Sequence, residues 1–408
     1  MRDKKGTVYQ QWGGNTATFF AYTHFSHDLC AGLLAALLPL IKVSLGLNYF
    51  QSGLLLAAYT ITVGLSQFPG GWISDHVRPQ VVIAVGLGGV GLSSLAVGLS
   101  PSYYPMLAVL IIMGIFAGGY HPSAVSMLSA YYAADKRGKV IALHMTGGSI
   151  GYALGPILGG LIAGIMSWRF AFFAMAVPAL VAVPLVLKKL RRPSREAGKT
   201  FSADDSGVNH QPRHRPGIIS VLRPIAIIIG LAITIQLLGG TAMAFLPIYL
   251  VDNLGVTPTA AALLVGVTRG GGILGSLFGG WLSDRWGRKQ TIFMTLAATG
   301  PVLYLLTRLD YHAGLILVMV LFGMIMYMRQ AAVQPFLMDN VPALMRGTVF
   351  GIYFGLGMEG MSLLYPVAGF FMDEFDILSV FNIIALGSVA LSVLALLLMK
   401  KVSLPRAA

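Results

Sequence analysis

Gly279-Gly280-Trp281-Leu282-Ser283-Asp284-Arg285-Trp286-Gly287-Arg288-Lys289 has a near copy earlier in the chain, Gly70-Gly71-Trp72-Ile73-Ser74-Asp75-His76-Val77-Arg78. Gly71 and Gly280 are 209 residues apart, as are Asp75 and Asp284. The same shift carries Arg137-Gly138 onto Arg346-Gly347 and His121 onto Gln330. A constant shift of half the chain far exceeds a solenoid period, so it marks one duplication of a large unit. Each copy closes a long apolar run. A duplicated apolar unit of this size is the pattern of two membrane-embedded halves.

Composition agrees. The chain is 56% hydrophobic and 11% charged, where soluble domains carry about 25% charged residues. Its 50 glycines suit membrane helices, whose backbones approach closely at small residues. The single cysteine, Cys30, excludes an intramolecular disulfide. The polar N-terminus and the length of the first apolar run argue against a cleaved signal peptide. Twelve apolar runs are placed near residues 17–43, 50–73, 80–99, 104–131, 139–165, 169–187, 222–250, 257–282, 290–307, 313–337, 347–371 and 377–399. Most reach the roughly 20 helical residues that a bilayer core requires.

Of the 28 Lys and Arg residues, 23 fall in the termini, the central segment and the loops on the same side. Loops on the other side carry Asp252, Asp310, Asp373, Glu374 and Asp376. This is the positive-inside pattern, with both termini cytoplasmic. The net charge of +13 is therefore a topology signal, and no nucleic-acid partner is expected. Residues 188–221 are polar and contain Pro193, Pro212 and Pro216. They separate a half at 1–187 from a half at 222–408 as a linker. The cluster Lys188-Lys189-Leu190-Arg191-Arg192 reads as a stop-transfer flank or as a contact for anionic membrane lipids. No Walker A loop, dinucleotide turn or zinc spacing is present, so no ATP motor, cofactor or structural metal is expected. Ionisable residues are scattered over different spans, which argues against an enzyme.

The segment Gly280 to Lys289 resembles the loop 2–3 signature of the major facilitator superfamily, here in its loop 8–9 copy. The resemblance implies an all-α membrane protein of twelve transmembrane helices in two pseudo-symmetric six-helix bundles. It also implies a gating role for Gly71, Asp75 and Arg78 in one copy and for Gly280, Asp284, Arg285, Gly287, Arg288 and Lys289 in the other. Gly280 is expected to permit a close helix contact, and Asp284 to sit against a neighbouring helix N-terminus, where the dipole favours an anion. The first copy departs from the signature, with Arg78-Pro79-Gln80 in place of glycine and basic residues. In span 5, Gly147-Gly148-Ser149-Ile150-Gly151-Tyr152-Ala153-Leu154-Gly155-Pro156-Ile157-Leu158-Gly159-Gly160 resembles the antiporter motif of drug–proton exchangers. Gly151, Gly155 and Gly159 form one flat stripe, and Pro156 should bend the helix. Packing without directional meaning is the competing reading. His24-Phe25-Ser26-His27-Asp28, Gly118-Gly119-Tyr120-His121-Pro122 and Arg137-Gly138 are similar to the fosmidomycin-resistance group of bacterial exporters. That likeness implies proton-coupled export of a small molecule from the bacterial cytoplasm across the inner membrane, by a monomer. The arginine that many drug–proton antiporters carry in span 4 is absent, since Gly114 occupies its place.

Ionisable groups at mid-membrane are functional candidates. Asp28 lies about 17 Å into span 1 at 1.5 Å per residue, and His24, His27 and Asp28 share one helix face at i, i+3 and i+4. With Glu359 of span 11 they are the candidates for proton coupling. A structural polar contact and a metal site of two histidines and a carboxylate are the competing readings of the trio. Arg269 and Arg329 are candidates for an anionic substrate group, with His121, Gln236, Gln330 and Gln334 as further substrate contacts; a structural bridge of Arg269 and Glu359 with each other, or with His144 or tyrosines, is the alternative. His121-Pro122 is expected to break span 4. Two function classes follow: a proton-coupled antiporter exporting an anionic or amphiphilic compound, or a symporter or uniporter for an organic anion or a metal ion.

Overall fold

The computed structural model describes residues 13–190, 222–223, 225–342, 349, 353 and 360–399, and the described elements are all helical. Span 1 comprises α1 (Gly14–Ala31) and α2 (Leu33–Leu45). Spans 2 to 6 are α3 (Tyr49–His76), α4 (Pro79–Leu99), α5 (Tyr103–Tyr131), α6 (Ala134–Ile165) and α7 (Trp168–Lys189). Spans 7 to 10 are α8 (Ala226–Asp252), α9 (Pro258–Trp286), α10 (Arg288–Leu306) and α11 (Ala313–Asn340). A 3₁₀ turn at Gly360–Leu363 leads into α12 (Leu364–Phe375), the described part of span 11, and α13 (Ile377–Met399) is span 12. Among the described residues, nine spans are long and apolar enough to cross a membrane by themselves. The exceptions are α3, α10 and the part of span 11 described.

Local chemistry sets the helix ends. Pro79 and Pro258 open α4 and α9, where a preset φ helps and a missing N–H costs nothing. The Ala260 N–H donates to Thr257 Oγ1 at 3.3 Å, an N-cap bond. Gly287 has φ 102 between α9 and α10, a conformation that L side chains rarely adopt. Pro122 and Pro156 do not interrupt α5 or α6. The expected break at His121-Pro122 is thus absent, because neighbouring groups in a membrane bundle absorb one lost backbone bond.

The chain divides into two compact units, residues 1–34 with 58–213 and residues 35–57 with 214–408. The first has a core around Phe20, Leu87, Tyr120 and Leu128. The second is centred on Ile235, Phe293, Val333 and Phe336. The duplication survives in the packing of both. A Cβ on Gly70 would come 2.7 Å from Gly119 Cα, and one on Gly279 would come 2.7 Å from Met328 Cα; the 209-residue shift relates the two contacts. Gly71 and Gly280 have open space around them instead. The close approach expected of Gly280 is therefore made by its neighbour Gly279, which lies on the side of α9 that faces α11.

Candidate functional site

In the first unit, α1 carries Thr23, His24, His27 and Asp28 on one side, with Asp28 near the middle of the 32-residue span Gly14–Leu45. The glycines of α6 bring its backbone against this helix. A Cβ at Gly147 would strike the Ala21 carbonyl, one at Gly151 the Phe25 carbonyl and one at Gly155 the Leu29 carbonyl. A Cβ at Gly148 would overlap the His24 ring. Gly159 and Gly160 are buried further along α6.

The arrangement counts its own protons. His24 Nδ1 lies 2.9 Å from the His144 carbonyl oxygen, and a carbonyl only accepts, so Nδ1 carries hydrogen. His24 Nε2 faces Asp28 Oδ2 at 3.3 Å. A neutral His24 would then turn a bare lone pair toward a carboxylate. One proton must lie at this contact, on the imidazole or on the carboxyl. His27 Nδ1 donates to Asp28 Oδ1 at 2.7 Å, leaving its buried Nε2 without a partner. His144 Nδ1 donates to the Phe20 carbonyl at 3.0 Å, and its ring stacks on His24 at 4.3 Å. Tyr120 stacks on His27 at 4.7 Å. Because Thr23 donates to the Phe20 carbonyl, the Tyr120 hydroxyl donates to Thr23 Oγ1 at 2.9 Å. His121 stands edge-on to both His24 and His27, at 5.1 and 4.9 Å. Ligand atoms of His24, Asp28 and His121 lie within 4.8 Å of one another, a separation that one bridging water would span.

In the second unit Arg329 of α11 is fully buried. Its guanidinium donates to Gln236 Oε1 at 2.6 Å and to Thr299 Oγ1 at 3.0 Å, and Nη2 contacts Met326 Sδ at 3.1 Å. The Thr299 hydroxyl donates its own hydrogen bond to the Thr295 carbonyl at 2.7 Å. Arg329 Nε is buried without a partner, and no described carboxylate pairs with the guanidinium. Arg269 is buried on α9, Gln330 is half-buried and Gln334 is exposed. Glu359 lies outside the described residues.

The repeated loop motif is also placed. Arg288 pairs with Asp339 at 2.6 Å. The positions 209 residues earlier are Pro79 and Ala130, so the first half lacks both partners. Arg285 lies over the Trp281 ring and Lys289 over Phe293. Arg78 is exposed at the N-cap of α4. Asp284 is exposed, and the start of span 11 lies outside the described residues. The Asp75 side chain lies outside the described set.

Sequence reasoning missed several participants. Tyr120 and Thr299 join the clusters, and Tyr120 had a signal: the 209-residue shift maps it onto Arg329; His144, read as a possible partner of Arg269 or Glu359, packs on His24 instead. A third network lies at the acidic-loop end of the second unit. Lys42 and the Tyr49 hydroxyl both donate to Asp252 Oδ2 at 2.9 Å. Asp373 accepts the Tyr49 and Phe50 N–H groups at 2.8 Å each. The sequence marked Lys42 only as one of five basic residues off the cytoplasmic side.

The Major Facilitator Superfamily family model matches residues 20–358 and 228–407. The chain belongs to that superfamily, and it is an all-α, multi-pass membrane protein and a secondary transporter rather than an enzyme. Among curated relatives it is 26% identical over 291 residues to the probable hexose phosphate transport protein of Chlamydia muridarum (strain MoPn / Nigg). That match covers 65% of this chain and 62% of the relative. It is 22% identical over 352 residues to the fosmidomycin resistance protein of Escherichia coli (strain K12), covering 85% and 84%. Its fold is similar to a solved bacterial homologue of the human lysosomal transporter Spinster, with TM-score 0.76 at 15% identity and 96% of both chains covered.

Proposed function

We propose that this chain is a proton-coupled antiporter that exports a small anionic or amphiphilic compound by alternating access. The carrying observation is the His24–Asp28 contact, where hydrogen-bond geometry requires one proton at mid-membrane. That proton is exchangeable through His121 and is held against α6 by the glycines of the antiporter-like segment. Loss of the proton leaves a net negative charge more on span 1; binding it removes that charge. Movement of α6 along α1 changes what faces Asp28, which couples proton loss to the opening of one side. The fixed charge of Arg329, with Arg269 on span 8, favours an anionic cargo, while Gln330 and His121 offer neutral hydrogen bonds. Glu359 is retained as a second proton carrier.

In this reading the halves 1–187 and 222–408 rock about a linker at 188–221, the repeated loops act as gates, and the protein works as a monomer in the bacterial inner membrane with both termini cytoplasmic. To test it, the protein is reconstituted in liposomes and a pH gradient is imposed. Flux of a candidate anion should follow the gradient and be accompanied by opposite proton movement. Flux indifferent to the gradient in the parent protein would refute coupling. A second reading, uptake of an organic anion by symport or uniport, is favoured by the buried cation Arg329 and by the hexose phosphate relative. It predicts proton and substrate movement in the same direction, or no proton movement at all.

A further inference from the structure

The face of the first unit built from α3, α4, α5 and α7 carries two apolar grooves that no transport step uses. One, of about 580 Å³, runs past Val85, Gly88, Leu92, Ile112, Val183 and Leu187. The other, of about 390 Å³, runs past Gly70, Ile73, Val77 and Gly119. Val81, Val85 and Phe116 line both, so the Val81–Val85 edge of α4 is a ridge between them. Glycines widen the channels: beside Val81, Val85 and Leu92 of α4, Gly88 and Gly89 add no side chain to the first groove, and Gly70 of α3 and Gly119 of α5 add none to the second. The first groove follows α4 from Val81 to Ala96, about 22 Å at 1.5 Å per residue, which exceeds one leaflet of a core of about 30 Å.

The ridge ends in a cation. Arg78 is exposed at the N-cap of α4, three residues before Val81 and seven before Val85, hence on the same helix face. Lys188 is exposed and follows Leu187, the last groove residue of α7. Both lie at the basic end of their helices, where anionic headgroups concentrate, and long basic side chains reach from apolar surface to the interface. We infer that this face binds one diacyl phospholipid with an anionic headgroup, its chains straddling the Val81–Val85 ridge and its phosphate at Arg78 and Lys188. Two chains match two grooves, and one phosphate matches the cation at the head of the ridge. The first copy of the repeated loop has lost its Arg288 equivalent; in exchange its Arg78 faces lipid.

The test titrates purified protein in detergent with dioleoylphosphatidylglycerol, dioleoylphosphatidylcholine, lysophosphatidylglycerol and glycerol phosphate, read by native mass spectrometry and by Tm. Phosphatidylglycerol should bind at least fivefold more tightly than phosphatidylcholine, and Arg78→Gln should remove about fivefold of that affinity. Val85→Trp should block binding while keeping the Tm of the lipid-free protein, because Val85 is 52% exposed. Should that variant fail to fold, Leu92→Trp, at a position 62% exposed, serves the same purpose. Equal affinity for the two diacyl lipids, or an unchanged affinity in both Arg78→Gln and Lys188→Gln, would overturn the site. Equal binding of the single-chain lipid would overturn the two-groove seat, and an equal Tm rise with glycerol phosphate alone would assign the cations to a soluble anion instead.

Discussion

The two units place different chemistry at the same position. The 209-residue shift that relates the loop motifs also carries His27 onto Gln236 and Tyr120 onto Arg329. In the first unit that pair is two stacked rings, His27 on Tyr120 at 4.7 Å. In the second it is a hydrogen bond, Arg329 to Gln236 at 2.6 Å. Tyr120 and Arg329 are both fully buried. Duplication thus preserved a buried contact between polar side chains of the first and fourth helices of each half and let its chemistry diverge. One contact supports a neutral neighbourhood for a titratable His24–Asp28 pair; the other is itself a permanent cation. A charge that can be removed by a proton suits coupling, and a charge that cannot suits recognition of an anion.

The largest effect expected from this contrast is at Asp28. Asp28→Asn keeps an oxygen for the His27 N–H and presents an N–H₂ to the bare Nε2 of a neutral His24, so every bond persists and the proton is gone. The variant should fold with a Tm close to the parent, yet lose pH-gradient-driven flux by at least about 100-fold, a loss of roughly 2.7 kcal/mol in driving the coupled step. Gradient-driven flux at parental rates would place the proton elsewhere and erase the difference between the two units.

The next effect probes the fixed charge. Gln236→Leu strands a buried guanidinium donor, and hydrogen bonds to charged groups are worth about 1.5–3 kcal/mol. Tyr120→Phe in the other unit gives up only the neutral bond to Thr23, worth about 1 kcal/mol. Denaturant titration in micelles should show the first cost at about twice the second, with the double variant Gln236→Leu and Arg329→Met recovering part of it, since removing an unpaired buried ion is favourable. Equal costs would mean that Arg329 is compensated by another group.

A smaller effect separates the motif glycines. Gly151→Ala drives a methyl into the Phe25 carbonyl and should cost about 1–3 kcal/mol through overpacking of α6 on α1, with a parallel loss of coupling. Gly280→Ala meets open space and should change stability by less than about 0.5 kcal/mol. A large stability cost at Gly280 would restore the contact role that its sequence suggested.

These pairs also mark how far the residues alone could be read. Apolar runs gave spans close to the observed helices, because bilayer thickness constrains length and the repeat constrains number; α4, α7 and α10 begin and end within two residues of the runs read. His24, His27 and Asp28 were legible as one face because helical periodicity decides it locally. Their closure with His121, His144 and Tyr120 was not, since it depends on how α5 and α6 rotate against α1, and that rotation is set by which glycines admit a carbonyl. The choice of Gly279 over Gly280 at the α9–α11 contact differs by only 100° around one helix, and the motif contains both. The Asp252 and Asp373 network was hidden because acidic loop residues first read as topology. Nothing local in the sequence pairs Lys42 with a residue 210 positions away.

The smallest expected effect defines what an ordinary membrane-end carboxylate does, against which Asp28 stands out. Asp376, between α12 and α13, has φ 107 and caps α13: its oxygens accept the Ser379 N–H at 2.7 Å and the Ser379 hydroxyl at 2.8 Å. The backbone bond first, and then the hydroxyl, hold its carboxyl below the usual carboxylate value. A depressed folded value means that the ionised cap stabilises the fold above the unfolded carboxylate range, and that this contribution is lost as pH falls through the folded value. Asp376→Asn keeps one acceptor for the Ser379 N–H and loses the charge at the helix N-terminus. It should lower Tm by about 1 °C at neutral pH, with the gap closing in strongly acidic buffer and coupled flux at neutral pH unchanged. A gap that widens on acidification would invert the sign, and a coupling defect would remove the distinction between a carboxylate that caps a helix and the one proposed to carry a proton.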